Sequence, residues 1–255
     1  KAPLADEAER GTYLGFDTFA YPGDAKMRAW KNAPKAPFKW VGFYLPGAPC
    51  HRGKTWDGKR QTLVDMGWGI AVVYVGQQTW GRKPRPLTPA QVARLERTGQ
   101  ACNANLLSAE RGTRDGKEAA DLTRAQGFPK GTVIFLDIER SENMPQAMRD
   151  YYKAWTQAVF ADGRFQPGYY VHKHNARMVY DDVRPTFVAH GVQTAPRFWV
   201  ASARDFSPEK EPEEVGHEFA GAWQGVIDVV REVADVALPI DINVSNWRSP
   251  SDVID

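Results

Sequence analysis

Four acids stand where a globular chain has no ordinary use for them. Thr132–Glu139 is an apolar, β-rich run broken only by Asp137 and closed by Glu139. Side chains alternate along a strand, so Asp137 and Glu139 share one face while Ile134, Leu136 and Ile138 share the other. The apolar face suits packing against helices. The acidic face then points into an interior where an unpaired charge costs several kcal/mol. Asp17 closes the run Leu14–Asp17, and Asp241 opens Asp241–Asn243 with Asn243 on its own face. Carboxyls gathered in one place repel, so some must be protonated, hydrogen-bonded or metal-bound at neutral pH. A protonated carboxyl beside an ionised one is the arrangement that glycosidic cleavage requires. Each signal alone has a plainer reading. Asp-x-Glu recurs among surface acids, Asp17 could cap a turn or helix, and Asp241 with Asn243 could close a loop through side-chain hydrogen bonds. Their joint occurrence at matching strand ends favours a site.

Residues suited to holding a sugar lie at comparable positions. Tyr44 ends one strand run, and Gln77 and Gln78 end the next. Amides bond hydroxyls, and aromatic rings cover the apolar face of a sugar. Tyr170 and His172 share a strand face; His172 reads either as a proton carrier or as a satisfied structural histidine. Trp199 reads as platform or packing. Trp223 and Gln224 are adjacent and face oppositely, so one of them points inward.

Eight β-rich runs must position these residues: Tyr13–Phe19, Trp40–Leu45, Gly69–Gly76, Thr132–Glu139, Pro167–Lys173, Arg197–Ser202, Ala220–Gly225 and Ile240–Val244. Helical patterns fall at Asp57–Met66, Thr88–Asn105, Arg114–Gln126 and Pro145–Phe160. The gap between the third and fourth strands has room for two helices. Val226–Leu238 fits both a helix and a hairpin, and its β-branched content leans extended. Eight strands in 255 residues match an α/β, TIM-like (β/α)8 barrel of typically ~250 residues, whose active sites lie at strand C-terminal ends. The Pro-rich stretches Pro34–Pro37 and Pro84–Pro89 read as barrel loops rather than linkers, so residues 1–255 are expected to form a single domain.

Composition excludes several classes. With 42% hydrophobic and 25% charged residues, the chain is neither disordered nor fibrous. A formal charge of +2 argues against a dedicated nucleic-acid binder. The charge is uneven: Lys26–Arg60 holds nine Lys or Arg and one acid, Asp57, while Asp205–Glu218 holds six acids and one Lys. These read as solvated patches, or the basic stretch as an attractor of an anionic polymer. Cys50 and Cys102 form no zinc site by themselves and could pair in an exported protein. No run of 18 apolar residues spans a membrane. The sequence reads as containing no signal peptide and as starting abruptly at Lys1, as expected of a processed chain. Clustered carboxylates also suit Mg²⁺ or Ca²⁺, but no histidine stands near Asp17. P-loop, dinucleotide and serine-elbow patterns are absent. Neither metal nor cofactor is expected.

Gly15-Phe16-Asp17, Leu136-Asp137-Ile138-Glu139, Trp223-Gln224 and Asp241-Ile242-Asn243 together resemble the family 25 glycoside hydrolases, lysozymes (N-acetylmuramidases) that cut bacterial peptidoglycan. The chain is more closely similar to the DUF1906, or Rv2525c-like glycoside-hydrolase-like, domain family. The marks are Gly15–Thr18, Val41–Leu45, Val73–Gln78 and Asp241–Val244, within a likeness running from Tyr13 to Trp247. The resemblance implies a barrel whose last strands are irregular and less helix-covered. It implies Glu139 as general acid, Asp137 as its tuning group or a stabiliser of developing positive charge, and Asp17 and Asp241 as positioners of water or an N-acetyl group. The expected partner is a polysaccharide such as peptidoglycan, met by a monomer outside the cytoplasm, secreted, periplasmic or at the cell wall. A barrel that binds the glycan without cutting it would need the same residues. The basic stretch from Lys26 to Arg60 is not part of the lysozyme pattern.

Overall fold

The computed structural model describes residues 11–80, 87–97 and 102–252. Eight strands close into a barrel in chain order: β1 (Tyr13–Asp17), β2 (Trp40–Tyr44), β3 (Gly69–Tyr74), β4 (Val133–Ile138), β5 (Gln166–His172), β6 (Phe198–Ala201), β7 (Ala220–Val233) and β8 (Val236–Ser245). Neighbours from β1 to β7 are parallel, whereas β8 runs antiparallel to both β7 and β1. The start of β8 therefore lies at the same mouth as the ends of the other strands. Asp241 pairs in register with Asp17, although it sits midway along its strand and Asp17 closes its own.

Val226–Leu238 resolves as a hairpin. β7 and β8 run on together to a turn at Ala234 and Asp235, both with positive φ, as a two-residue hairpin loop of the right twist requires. Register shifts between Gln224 and Val229 mark bulges. Close antiparallel pairing leaves no crossover for a helix, which is why this part of the barrel lacks one.

The alternation read from β4 holds. Val133 and Phe135 pack inside the barrel with Trp40, Ala71, Val73, Trp199 and Ala222. Ile134, Leu136 and Ile138 face the helical layer with Tyr151 and Trp155. The helices are α1 (Asp24–Asn32), α2 (Arg60–Asp65), α3 (Pro89–Arg97), α4 (Ala109–Ala125), α5 (Gln146–Asp162) and α6 (Lys173–Ala189). The sequence patterns missed α1 and α6. They also started α4 five residues late, because Ser108 caps it by accepting from the Arg111 N–H. The gap between β3 and β4 does hold two helices, α3 and α4, with a 3-10 turn at Ala104–Leu106. The expected continuation of Thr88–Asn105 through 98–101 lies outside the described residues, as do 84–86 of the Pro-rich loop. α4 and α5 pack closely because Gly112 has no side chain: a Cβ there would lie 2.1 Å from the Tyr151 carbonyl oxygen. Cys50 and Cys102 form a disulfide joining the loop after β2 to the segment after α3.

Candidate active site

The expected residues meet because the strand register places them in one ring. Tyr44 pairs with Val73, Asp137 with Tyr170, Tyr170 with Trp199 and Trp199 with Ala222. A cavity of about 80 Å³ opens at this mouth, lined by Asp17, Tyr44, Val73, Asp137, Glu139, Tyr170, Trp199, Gln224 and Asp241. All four acids lie in its wall. Trp199 forms its floor, with the rings of Trp40, Phe135 and Tyr170 edge-on at 5.3, 6.0 and 5.2 Å. Gly42 makes room for Asp17: a Cβ at this residue would come within 2.7 Å of the Asp17 Cβ.

Asp17 is buried yet well supplied with donors. Asn243 Nδ2 and Gln224 Nε2 donate to Oδ1 at 2.8 and 3.0 Å, and the Tyr44 hydroxyl donates to Oδ2 at 2.7 Å. The two amides are themselves oriented. Trp199 Nε1, which can only donate, bonds Asn243 Oδ1 at 3.0 Å and so turns the Asn243 amino group toward Asp17. The Tyr170 hydroxyl does the same for Gln224 by donating to its Oε1 at 2.6 Å. Burial raises the Asp17 pKa, and these three donors pull it back. With three neutral donors and no cation, Asp17 is the best-supported anion of the four.

The other acids are held toward the protonated form. Burial, then the charges of Glu139 and Asp17, push Asp137 well above the carboxylate range. Its Oδ1 is buried with no hydrogen-bond partner among the described residues. Glu139 stands at the solvent-facing rim just past β4. The surrounding walls and the Asp17 charge raise it, against an opposing hydrogen bond from the Arg140 backbone. Asp241 is pushed up to about 7, first by burial and then by Asp17. It accepts from Gln224 Nε2 at 3.2 Å and from the Asp228 N–H at 2.7 Å. Asp228 has φ 54°, so a strained bulge of β7 supplies that donor. The mouth thus holds one buried carboxylate supplied with three donors, beside carboxyls that keep protons to higher pH. A proton can be given at one atom while negative charge is held at another.

Several expected residues act behind the wall. Gln78 is buried; its Nε2 donates to the Asp137 carbonyl at 3.0 Å and its Oε1 accepts from the Glu139 N–H at 3.2 Å. It therefore clamps the backbone between the two acids. Gln77 accepts from the Asn103 N–H at 2.9 Å, and its own N–H donates to the Tyr151 hydroxyl. Tyr151 in turn donates to Asp115. Asn243 is buried behind Asp17. His172 departs from the expectation of a sugar contact or proton carrier in the cavity wall. β5 passes directly into α6, so the ring caps that helix, Nδ1 accepting from the His174 N–H at 3.1 Å. Of Trp223 and Gln224, the amide points inward; the indole donates to the Ser202 carbonyl outside. Sequence reading missed Val73 in the wall and Phe19 at the rim. Phe19 is an exposed aromatic two residues past Asp17, with its ring 6.0 Å from that of Tyr44; that spacing was the available signal.

Solved structures of similar fold cover nearly the whole chain. An uncharacterised protein of B. stearothermophilus superposes with TM-score 0.56 at 19% identity, over 91% of this chain and 95% of its own. The Clostridium perfringens spore cortex lytic enzyme SleM gives 0.56 at 12% identity, over 92% and 67%. The modular autolysin LytC of Streptococcus pneumoniae, solved with a synthetic peptidoglycan ligand, gives 0.55 at 12% identity, over 91% and 46%. At these identities the likeness is one of fold. No curated protein matches the sequence. The family model described as the Rv2525c-like, glycoside hydrolase-like domain matches residues 28–245, and the chain belongs to that family.

Proposed function

We propose that this protein is a glycoside hydrolase of bacterial cell-wall polysaccharide of the peptidoglycan type, with Glu139 as the proton donor. The carrying observation is the convergence of Asp17, Asp137, Glu139 and Asp241 on one cavity in unlike environments. Glu139, raised and at the open rim, gives its proton to the leaving glycosidic oxygen. Positive charge then develops on the sugar, and the Asp17 carboxylate faces it, held by three donors. Neutral Asp137 beneath avoids a second repelling charge. Asp241 positions water or an N-acetyl group. Membership of the glycoside hydrolase-like family, and the fold shared with a cortex-lytic enzyme and an autolysin that binds a peptidoglycan ligand, support this substrate. The Cys50–Cys102 disulfide supports a site of action outside the reducing cytoplasm. No described helix is long and apolar enough to cross a membrane. The protein acts as a single-domain monomer on this reading.

Clearing of a purified cell-wall suspension tests the proposal. Glu139→Gln should slow it by about 10²–10⁴-fold; equal rates would remove the hydrolase reading. The narrowness of the cavity, about 80 Å³ against ~300–1,000 Å³ for typical ligand sites, favours a second reading, a barrel that grips the glycan without cutting it. Retention on cell walls with no release of reducing ends would establish that alternative.

A further inference from the structure

The end of the barrel opposite the acids holds a larger cavity, of about 600 Å³. Starts of strands and the segment after β8 form it; its wall includes Arg60, Trp68, Phe128, Arg197, Trp247 and Arg248. Three arginines face one acid there, Asp252, whose carboxylate already accepts from the Ser249 hydroxyl at 2.7 Å. Arg60 and Arg248 make no ion pair with a described residue. Arg60 Nη1 donates to the neutral Gln61 side chain, and its Nε is buried without a partner. Lys31 lies alongside with Nζ 4.6 Å from the centre of the Trp68 ring. Its pKa is pushed down to about 8, first by burial and then by the charges of Arg248 and Lys39. Like charges gathered at a sheltered surface repel unless an anion joins them.

The same cavity has aromatic residues in its wall. Trp68 is 4% exposed, and its Nε1 is buried with no hydrogen-bond partner. Trp68 lines the hollow, so its indole N–H senses what occupies it. The Arg197 guanidinium, buried, lies 4.4 Å over the Trp247 ring and donates to the Pro250 carbonyl at 2.6 Å. This arrangement accounts for part of the basic stretch: Lys31, Lys39 and Arg60 all come from Lys26–Arg60.

We propose that this cavity binds an anionic saccharide, a sugar ring carrying a phosphate or carboxylate, at the end of the barrel remote from the acids. Arg60 and Arg248 take the anionic group, the guanidinium fork matching its paired oxygens. The half-buried indole of Trp247 covers the apolar ring face. The volume falls within the ~300–1,000 Å³ of ordinary ligand sites. A polynucleotide would instead need a basic groove tracking its backbone, whereas these cations converge on one hollow. The site stands independently of the hydrolase reading.

The test follows the Trp68 indole N–H in nitrogen-15 NMR spectra, the signal being assigned by its loss in Trp68→Phe. Titrants are glucose 6-phosphate, glucuronate, glucose, inorganic phosphate and a single-stranded oligothymidylate. Glucose 6-phosphate and glucuronate should shift the signal saturably. Arg248→Gln, at an exposed residue, and Arg60→Gln should each weaken that binding about tenfold, roughly the loss of one charge-assisted bond. Glucose and phosphate should bind about tenfold or more weakly than glucose 6-phosphate, since each lacks half of the recognised group. Glu139→Gln should leave the titration unchanged, which separates this site from the failure or success of the hydrolase reading. No saturable shift with either charged sugar overturns the proposal. Phosphate binding as tightly as glucose 6-phosphate overturns the saccharide, and tighter binding of the oligonucleotide reassigns the cavity to nucleic acid.

Discussion

Replacing Asn243 by Ala should cost more than its position behind the cavity wall suggests. Asn243 is fully buried. Its amide joins Trp199 Nε1 at 3.0 Å to Asp17 Oδ1 at 2.8 Å. The substitution strands an indole N–H and removes one of three donors from a buried carboxylate. Each buried group left unsatisfied costs about 1–3 kcal/mol, so a loss of about 3–4 kcal/mol is expected. At about 2–4 °C per kcal/mol for a protein of this size, the melting temperature should fall by roughly 6–16 °C. Asp17 keeps the Tyr44 and Gln224 bonds but loses part of the stabilisation of its charged form, so its pKa should rise further. Tyr44→Phe is the comparison. It also removes one donor from Asp17, but at the open cavity, where water can replace the hydroxyl; about 1–2 kcal/mol is expected. Urea denaturation measures both losses, and carboxyl carbon-13 titration follows Asp17. A loss under about 1 kcal/mol for Asn243→Ala, with Asp17 titrating as before, would refute the claim that this amide holds the carboxylate.

Two further predictions follow from the same site and its covalent support. The Asp241 carboxyl titrates near 7 when folded, above its ordinary 3.8, so the folded state binds a proton that the unfolded state releases. Its contribution to stability is full below about pH 4 and fades as the pH rises through about 7. Asp241→Asn should therefore gain on wild type across that window, read as urea midpoints against pH; parallel curves would show that Asp241 carries no such shift. Reducing the disulfide, or Cys50→Ser with Cys102→Ser, reopens a loop spanning 52 residues; chain entropy gives a loss of about 4 kcal/mol. An unchanged denaturation midpoint would show that the link adds nothing to stability.

The likeness between expected and observed structure is closest where the signal is local. All eight strand runs appear, because two-residue alternation and β-branched content act over a few neighbours. The pairing of Asp137 with Glu139 on one face follows from that same alternation. The helices fared less well. α1 starts after Gly23 with no capping side chain, and α6 begins at a histidine cap, which no common sequence pattern marks, and contains Pro185.

What the amino-acid sequence determined by itself was a set of strands, the facing of their side chains and a handful of acids too costly to bury idly. Tertiary structure decided which of those acids meet. Asp17 and Asn243 are 226 residues apart and 2.8 Å from bonding nitrogen to oxygen. That contact exists because β8 turns back antiparallel and brings Asp241–Asn243 beside Gly15–Asp17. The direction of β8 and the use of Gln78 as a backbone clamp depend on partners far along the chain. Local propensity carries no information about such partners, since they are chosen by closure of the barrel and by the cost of leaving buried polar groups without a bond.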